Sequence, residues 1–164
     1  MSPEADMLQF VIRGRRCAMY VQSVKEVVPM PSITPVPLVA AAVRGVMPLR
    51  GHPVVVLDLG PDLAPTRQDS QDDGFDVHRK PQDEFVLIIE SPSFHDSYPA
   101  RAALCVDQVL CVRATNPEHM RATSAVPPFV TATMVDADGP ALVIDATRAM
   151  EHVMATVQQA KVMI

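Results

Sequence analysis

Residues 45–59 read GVMPLRGHPVVVLDL. The run Val54–Leu57 is short, apolar and β-branched, and a turn at Arg50-Gly51 precedes it. That combination reads as strand, turn, strand. A charge stands at each end of the second strand, Arg50 before it and Asp58 after it.

The stretch has an echo downstream. Gly51-His-Pro-Val-Val-Val-Leu-Asp58 matches Gly139-Pro-Ala-Leu-Val-Ile-Asp145, one residue shorter. A second echo lies outside it: Val21, Val24 and Val27 stand at the same spacing as Val106, Val109 and Val112, 85 residues on. Such self-similarity marks a duplicated unit. Asp58 therefore has a counterpart in Asp145, at the same place after its strand. Repetition favours a structural role for both, as helix N-caps that accept backbone N–H bonds. Arg50 has no such counterpart, because the matching position falls near Asp138. It reads either as a solvated turn residue or as a contact for a partner's carboxylates or carbonyls.

Working outward, residues 8–28 open with Leu8, Phe10 and Ile12 alternating with other residues and turn at Arg13-Gly14, which predicts a β-hairpin. Prolines crowd residues 29–37, and Pro37 with Leu38–Val43 predicts a short helical turn. Residues 61–84 are rich in Asp, Gln and Pro with almost no apolar periodicity, which predicts a linker or loop. Beyond it, Phe85–Ile89 and Ala102–Val106 are buried-type strands separated by a loop from Ser91 to Arg101. Phe129–Val135, a turn at 136–139 and Ala141–Ile144 follow a Pro-containing segment. Met150, Val153, Met154 and Val157 then fall at i, i+3, i+4 and i+7, an amphipathic helix over 146–161. The expected organisation is two all-β subdomains in tandem, about 8–60 and 85–146, with the acidic segment 61–84 between them. A charge at Val55 or Leu57 is expected to unfold the first of them.

Composition limits the function classes. The 164 residues suffice for one domain or two small lobes, and 48% are hydrophobic. The net charge is −5 and no Lys/Arg run exceeds Arg15-Arg16, which argues against nucleic acid. No apolar run approaches the ~20 residues of a bilayer span, so no direct membrane insertion is expected. The opening MSPEADM lacks the basic and apolar regions of a signal peptide. Cys17, Cys105 and Cys111 are an odd number, consistent with reduced thiols in a cytoplasm. Each lies in an apolar context, which argues against the thiolate–imidazole pair of a cysteine-dependent enzyme. The histidines have no zinc spacing and no phosphate-binding glycine loop is present, so neither metal nor cofactor is expected.

Taken together, the blocks Val24-Lys-Glu26-Val27-Val28, Ile33-Thr-Pro-Val-Pro37 and Val43-Arg-Gly45-Val46-Met-Pro-Leu-Arg50-Gly51 leading to Asp58-Leu59 resemble the CheW family of chemotaxis coupling proteins. The resemblance covers nearly the whole chain. It implies an all-β fold with few short helices: two SH3-like five-stranded β-barrel subdomains side by side, a groove between them, and the C-terminal helix. It implies a non-enzymatic adaptor, cytoplasmic and recruited to membrane-associated chemoreceptor arrays. Its partners would be the regulatory domain of a CheA-type histidine kinase and the cytoplasmic tip of a methyl-accepting chemoreceptor, and in a divergent scaffold only other CheW-like domains. Carried over by position, Val24, Glu26 and Arg50 match receptor contacts, and Gly45 matches a glycine at the same surface that suits a backbone requirement. Val24 and Glu26, two apart on a strand, are expected to share a face. Pro48 departs from the family, which usually has a small polar residue there.

Overall fold

The computed structural model describes residues 3–37, 41–63, 85–91, 100–123 and 127–162. Eleven strands are present among them: β1 (Ala5–Ile12), β2 (Arg15–Tyr20), β3 (Val24–Pro29), β4 (Val43–Leu49), β5 (His52–Leu57), β6 (Phe85–Ser91), β7 (Ala100–Val106), β8 (Gln108–Thr115), β9 (Met120–Ala122), β10 (Val130–Asp136) and β11 (Gly139–Ile144). The α-helices are the short α1 (Gly60–Leu63) and α2 (Ala146–Val162), and single 3-10 turns stand at Val21–Ser23 and Pro117–His119. Residues 41 and 42 form a turn and Val43 opens β4, so the expected helical turn is not found there; 38–40 lie outside the described residues. Of the expected linker, 61–63 belong to α1 and 64–84 lie outside. Ser91 ends β6 and Ala100 begins β7, with 92–99 outside.

The strands form two sheets, in the orders β8-β1-β2-β11-β10-β9 and β3-β6-β7-β5-β4. The tandem division is thus corrected, because each sheet takes strands from both sides of residues 64–84. Antiparallel β1–β8 and β3–β6 ladders cross the divide, as do short parallel pairings of β2 with β11 and of β5 with β7. The duplication survives in this exchange. Replacing β8, β1, β2, β11 and β10 by β3, β6, β7, β5 and β4 converts one order into the other, and β9 adds a three-residue sixth strand to the first sheet. The pairing Val56–Ala103 repeats as Val143–Ala18, with the two halves changing places.

Bulges repeat as well. Lys25 and Leu110 are the extra residues in β3 and β8, and Arg44 and Thr131 those in β4 and β10. A bulge reverses the alternation of a strand. It lets residues three apart face the same way, which accounts for the Val24–Val27 and Val109–Val112 steps of the repeated spacing. Val24 and Val109 pack against the main core cluster, while Val27 and Val112 emerge at 42% and 58% exposure.

Three apolar clusters result. One lies on one face of the second sheet (Met47, Val54, Val56, Ile88) and one on one face of the first (Met7, Ala18, Met134, Val143). The largest joins the outer faces of both sheets (Phe10, Met19, Leu87, Leu104) and is sealed by α2 through Ala149, Met150 and Val153. Alternation along β5 assigns its residues: Val54 and Val56 point inward, Leu57 reaches the central cluster, and Val55 is 42% exposed. The expectation for Val55 is therefore corrected. Its side chain is on the outer face, where a charge keeps its water.

Candidate functional site

Arg50 and Gly51 form the two-residue turn of the β4–β5 hairpin, with Leu49 paired to His52 and φ of +49° and +82°. Two left-handed residues in succession make the type I′ turn, whose twist suits a hairpin. The turn projects Arg50, whose side chain is 75% exposed, toward Glu26, and Nη2 donates to Oε2 at 3.1 Å. β3 and β4 are the two ends of their sheet. Among the described residues no ladder joins those ends; the ion pair spans them instead.

The other sheet has the same clasp with its charges reversed. Arg113 on β8 donates to Asp136 at 3.2 Å and to Asp138 at 2.9 Å, at the β10–β11 turn. Asp136 also accepts from the fully buried Gln9 and from the Asp138 amide, both at 2.9 Å, and Arg16 donates to it and to the Gly139 carbonyl. Arg16 donates to the Gln9 carbonyl oxygen too, completing the network. Burial raises the Asp136 carboxyl, but the bonds from Gln9, the Asp138 amide and Arg16 outweigh it and hold the pKa at about 2. The sequence signal for this clasp was the match of Arg50 with Asp138 in the repeat.

The four candidate contact residues are only partly brought together. Glu26 and Arg50 touch. Val24 does not share their face, because the bulge at Lys25 pairs Val24 with Ile89 and Glu26 with Ile88, residues of different clusters. Val24 is half-buried against the core. Gly45 is buried, with φ +150°, and any Cβ there would collide with the Thr34 carbonyl. That carbonyl accepts from Val46, whose own carbonyl accepts from Thr34, both at 2.9 Å. Glycine is needed for this close approach.

The paired aspartates act locally. Asp58 accepts from the Gly60 amide at 2.8 Å at the start of α1 and lies 3.5 Å from Arg13, while Asp145 accepts from the Arg148 amide at 2.8 Å at the start of α2.

An apolar groove of about 480 Å³ runs beside α2. Its floor includes Val46, Val55 and Ala102 from β4, β5 and β7, and α2 contributes Met150, Val153, Met154 and Val157. None of Val24, Glu26, Gly45 or Arg50 lines it. The one charged side chain among its described lining residues is Arg101. Sequence reasoning missed Arg101 because it lay in an expected loop.

Nucleophilic chemistry at Cys17 is disfavoured. Burial pushes the Cys17 thiol up to about 12, only partly offset by a backbone hydrogen bond from Ile12, so it stays protonated. Among the described residues no group of three or more His, Cys, Asp and Glu side chains could hold a metal ion, and no helix is long and apolar enough to cross a membrane.

A family model for the CheW-like domain matches residues 6–154, nearly the whole chain. The chain belongs to the CheW-like domain family. The scaffolding protein TtCheW from Thermoanaerobacter tengcongensis has a similar structure, with a TM-score of 0.67 at 21% identity over 88% of this chain and 86% of that one. No curated protein matches the sequence. The two exchanged sheets and α2 thus make up a CheW-like fold.

Proposed function

We propose that this CheW-like chain is a non-enzymatic adaptor that couples the cytoplasmic tip of a chemoreceptor to the regulatory domain of a CheA-type histidine kinase. The observation that carries the reading is Arg50. It is held in a left-handed conformation that a non-glycine residue adopts at a cost, yet it extends into solvent beside Glu26. The hairpin turn needs a left-handed residue at this place and favours asparagine, aspartate or glycine; an arginine here supports a contact role for its exposed guanidinium. Family membership and the scaffolding role of the similar TtCheW support the same reading.

Glu26 and Arg50 are the proposed receptor-facing pair, with Val24 and Gly45 supporting the strands that present them. The kinase side would be barrel against barrel. Each contact would be of modest area, and repetition in an array would supply avidity.

A pull-down with the isolated kinase regulatory domain and, separately, a receptor tip fragment tests this. Capture of both, with Arg50→Glu losing the receptor and keeping the kinase domain, is the expected result. Capture of the kinase domain alone would replace the reading by a scaffold that binds only CheW-like domains. Capture of neither would sink it.

A further inference from the structure

The outer face of the second sheet is only partly covered. α2 lies across it, but Val36, Val55 and Met154 remain 43%, 42% and 51% exposed around the groove. The α2 wall presents residues at i, i+3, i+4 and i+7, a length of about 10 Å at 1.5 Å per residue. That is two turns of a second helix laid alongside.

The groove also restricts what can enter it. The β4 edge beside it is already paired, because Thr34 and Val46 exchange both backbone hydrogen bonds. An added strand would find no partners at that position. The apolar lining offers an extended peptide nothing for its amides, and unpaired buried amides are costly. A helix satisfies its own backbone and needs only apolar anchors. Arg101 adds a charge requirement. Glu90 takes its Nε–H at 3.0 Å, and its terminal nitrogens make no hydrogen bond to a described residue. The side chain is 53% exposed.

We propose that the α2 groove is a second docking surface, for an amphipathic helix of a partner protein that carries a carboxylate beside its apolar stripe, read by Arg101. The proposal does not depend on the receptor reading, since the two surfaces share none of the residues assigned to that contact. The guanidinium sets the register of the helix, and the aliphatic floor supplies the contact area.

Two synthetic helical peptides test it, with identical leucines at i, i+3, i+4 and i+7 and either Glu or Lys flanking that stripe. Each is titrated into the isotope-labelled full chain while amide resonances are followed. The Glu peptide is expected to shift Val46, Val55 and Met154 and to bind at least about tenfold more tightly than the Lys peptide, a single charge contact's worth. Arg101→Glu reverses the preference, Arg101→Gln abolishes it, and Arg50→Glu leaves it unchanged. Equal affinity for both peptides, or shifts confined to other surfaces, would overturn the proposal. So would saturation of the groove by a small apolar solute when neither peptide binds.

Discussion

Arg13 and Arg50 each occupy the first central position of a hairpin turn, with φ of +47° and +49°, and a glycine follows each. Asparagine is the residue that such a turn favours. Arg13 is accounted for within the fold, since it pairs with Asp58 and packs over Gly60. Arg50 gains only an exposed ion pair, a class worth about 0–1 kcal/mol. Arg50→Asn is therefore expected to leave stability unchanged or raise it by up to about 1 kcal/mol, read from urea midpoints, while receptor capture is lost. Asp136 should dominate the acid response. Its carboxyl is held below its unfolded value of 3.8, so its contribution is complete above about pH 5 and fades as pH falls through 3.8 toward 2. The stability difference between the native protein and Asp136→Asn should shrink over that window, and a constant difference would contradict the account. At this scale the sequence spoke unevenly. Asp58 and Asp145 were legible because they recur, whereas the separation of Val24 from Glu26 was not, since a bulge is a change of backbone register with no fixed residue type.

Elements inherit their roles from alternation and from what covers each face. In β5, Val56 is fully buried inside one sheet and Val55 stands in the α2 groove. Val56→Asp should abolish cooperative unfolding, because an unpaired charge there costs several kcal/mol. Val55→Asp should fold and lower the midpoint only slightly, and circular dichroism melts of the two variants separate these outcomes. The helix over 146–161 could be read from its spacing and appears as α2. The groove beside it could not, because it forms only when β4, β5 and β7 are brought under that helix. β9 was hidden for a different reason: its three residues are too few to display a period.

At the level of the molecule, duplication was visible and exchange was not. A repeat shows that two segments are alike, but says nothing of which segment each will pair with. Here β1 and β2 pair with strands of the later half, and β6 and β7 with strands of the earlier one. Cleavage within 64–84 is accordingly expected to leave two fragments that elute together and separate only in denaturant. Fragments that part under native conditions would contradict the observed pairing.

The crossed ladders carry one further implication. Two like halves that trade strands have the anatomy of a domain-swapped dimer whose subunits were fused into one chain. Residues 64–84 join the two halves covalently, which gives each half a high effective concentration of its own partner. Shorten this segment below the distance between Leu63 and Phe85, and the same hydrogen bonds would be satisfied between two molecules instead of within one.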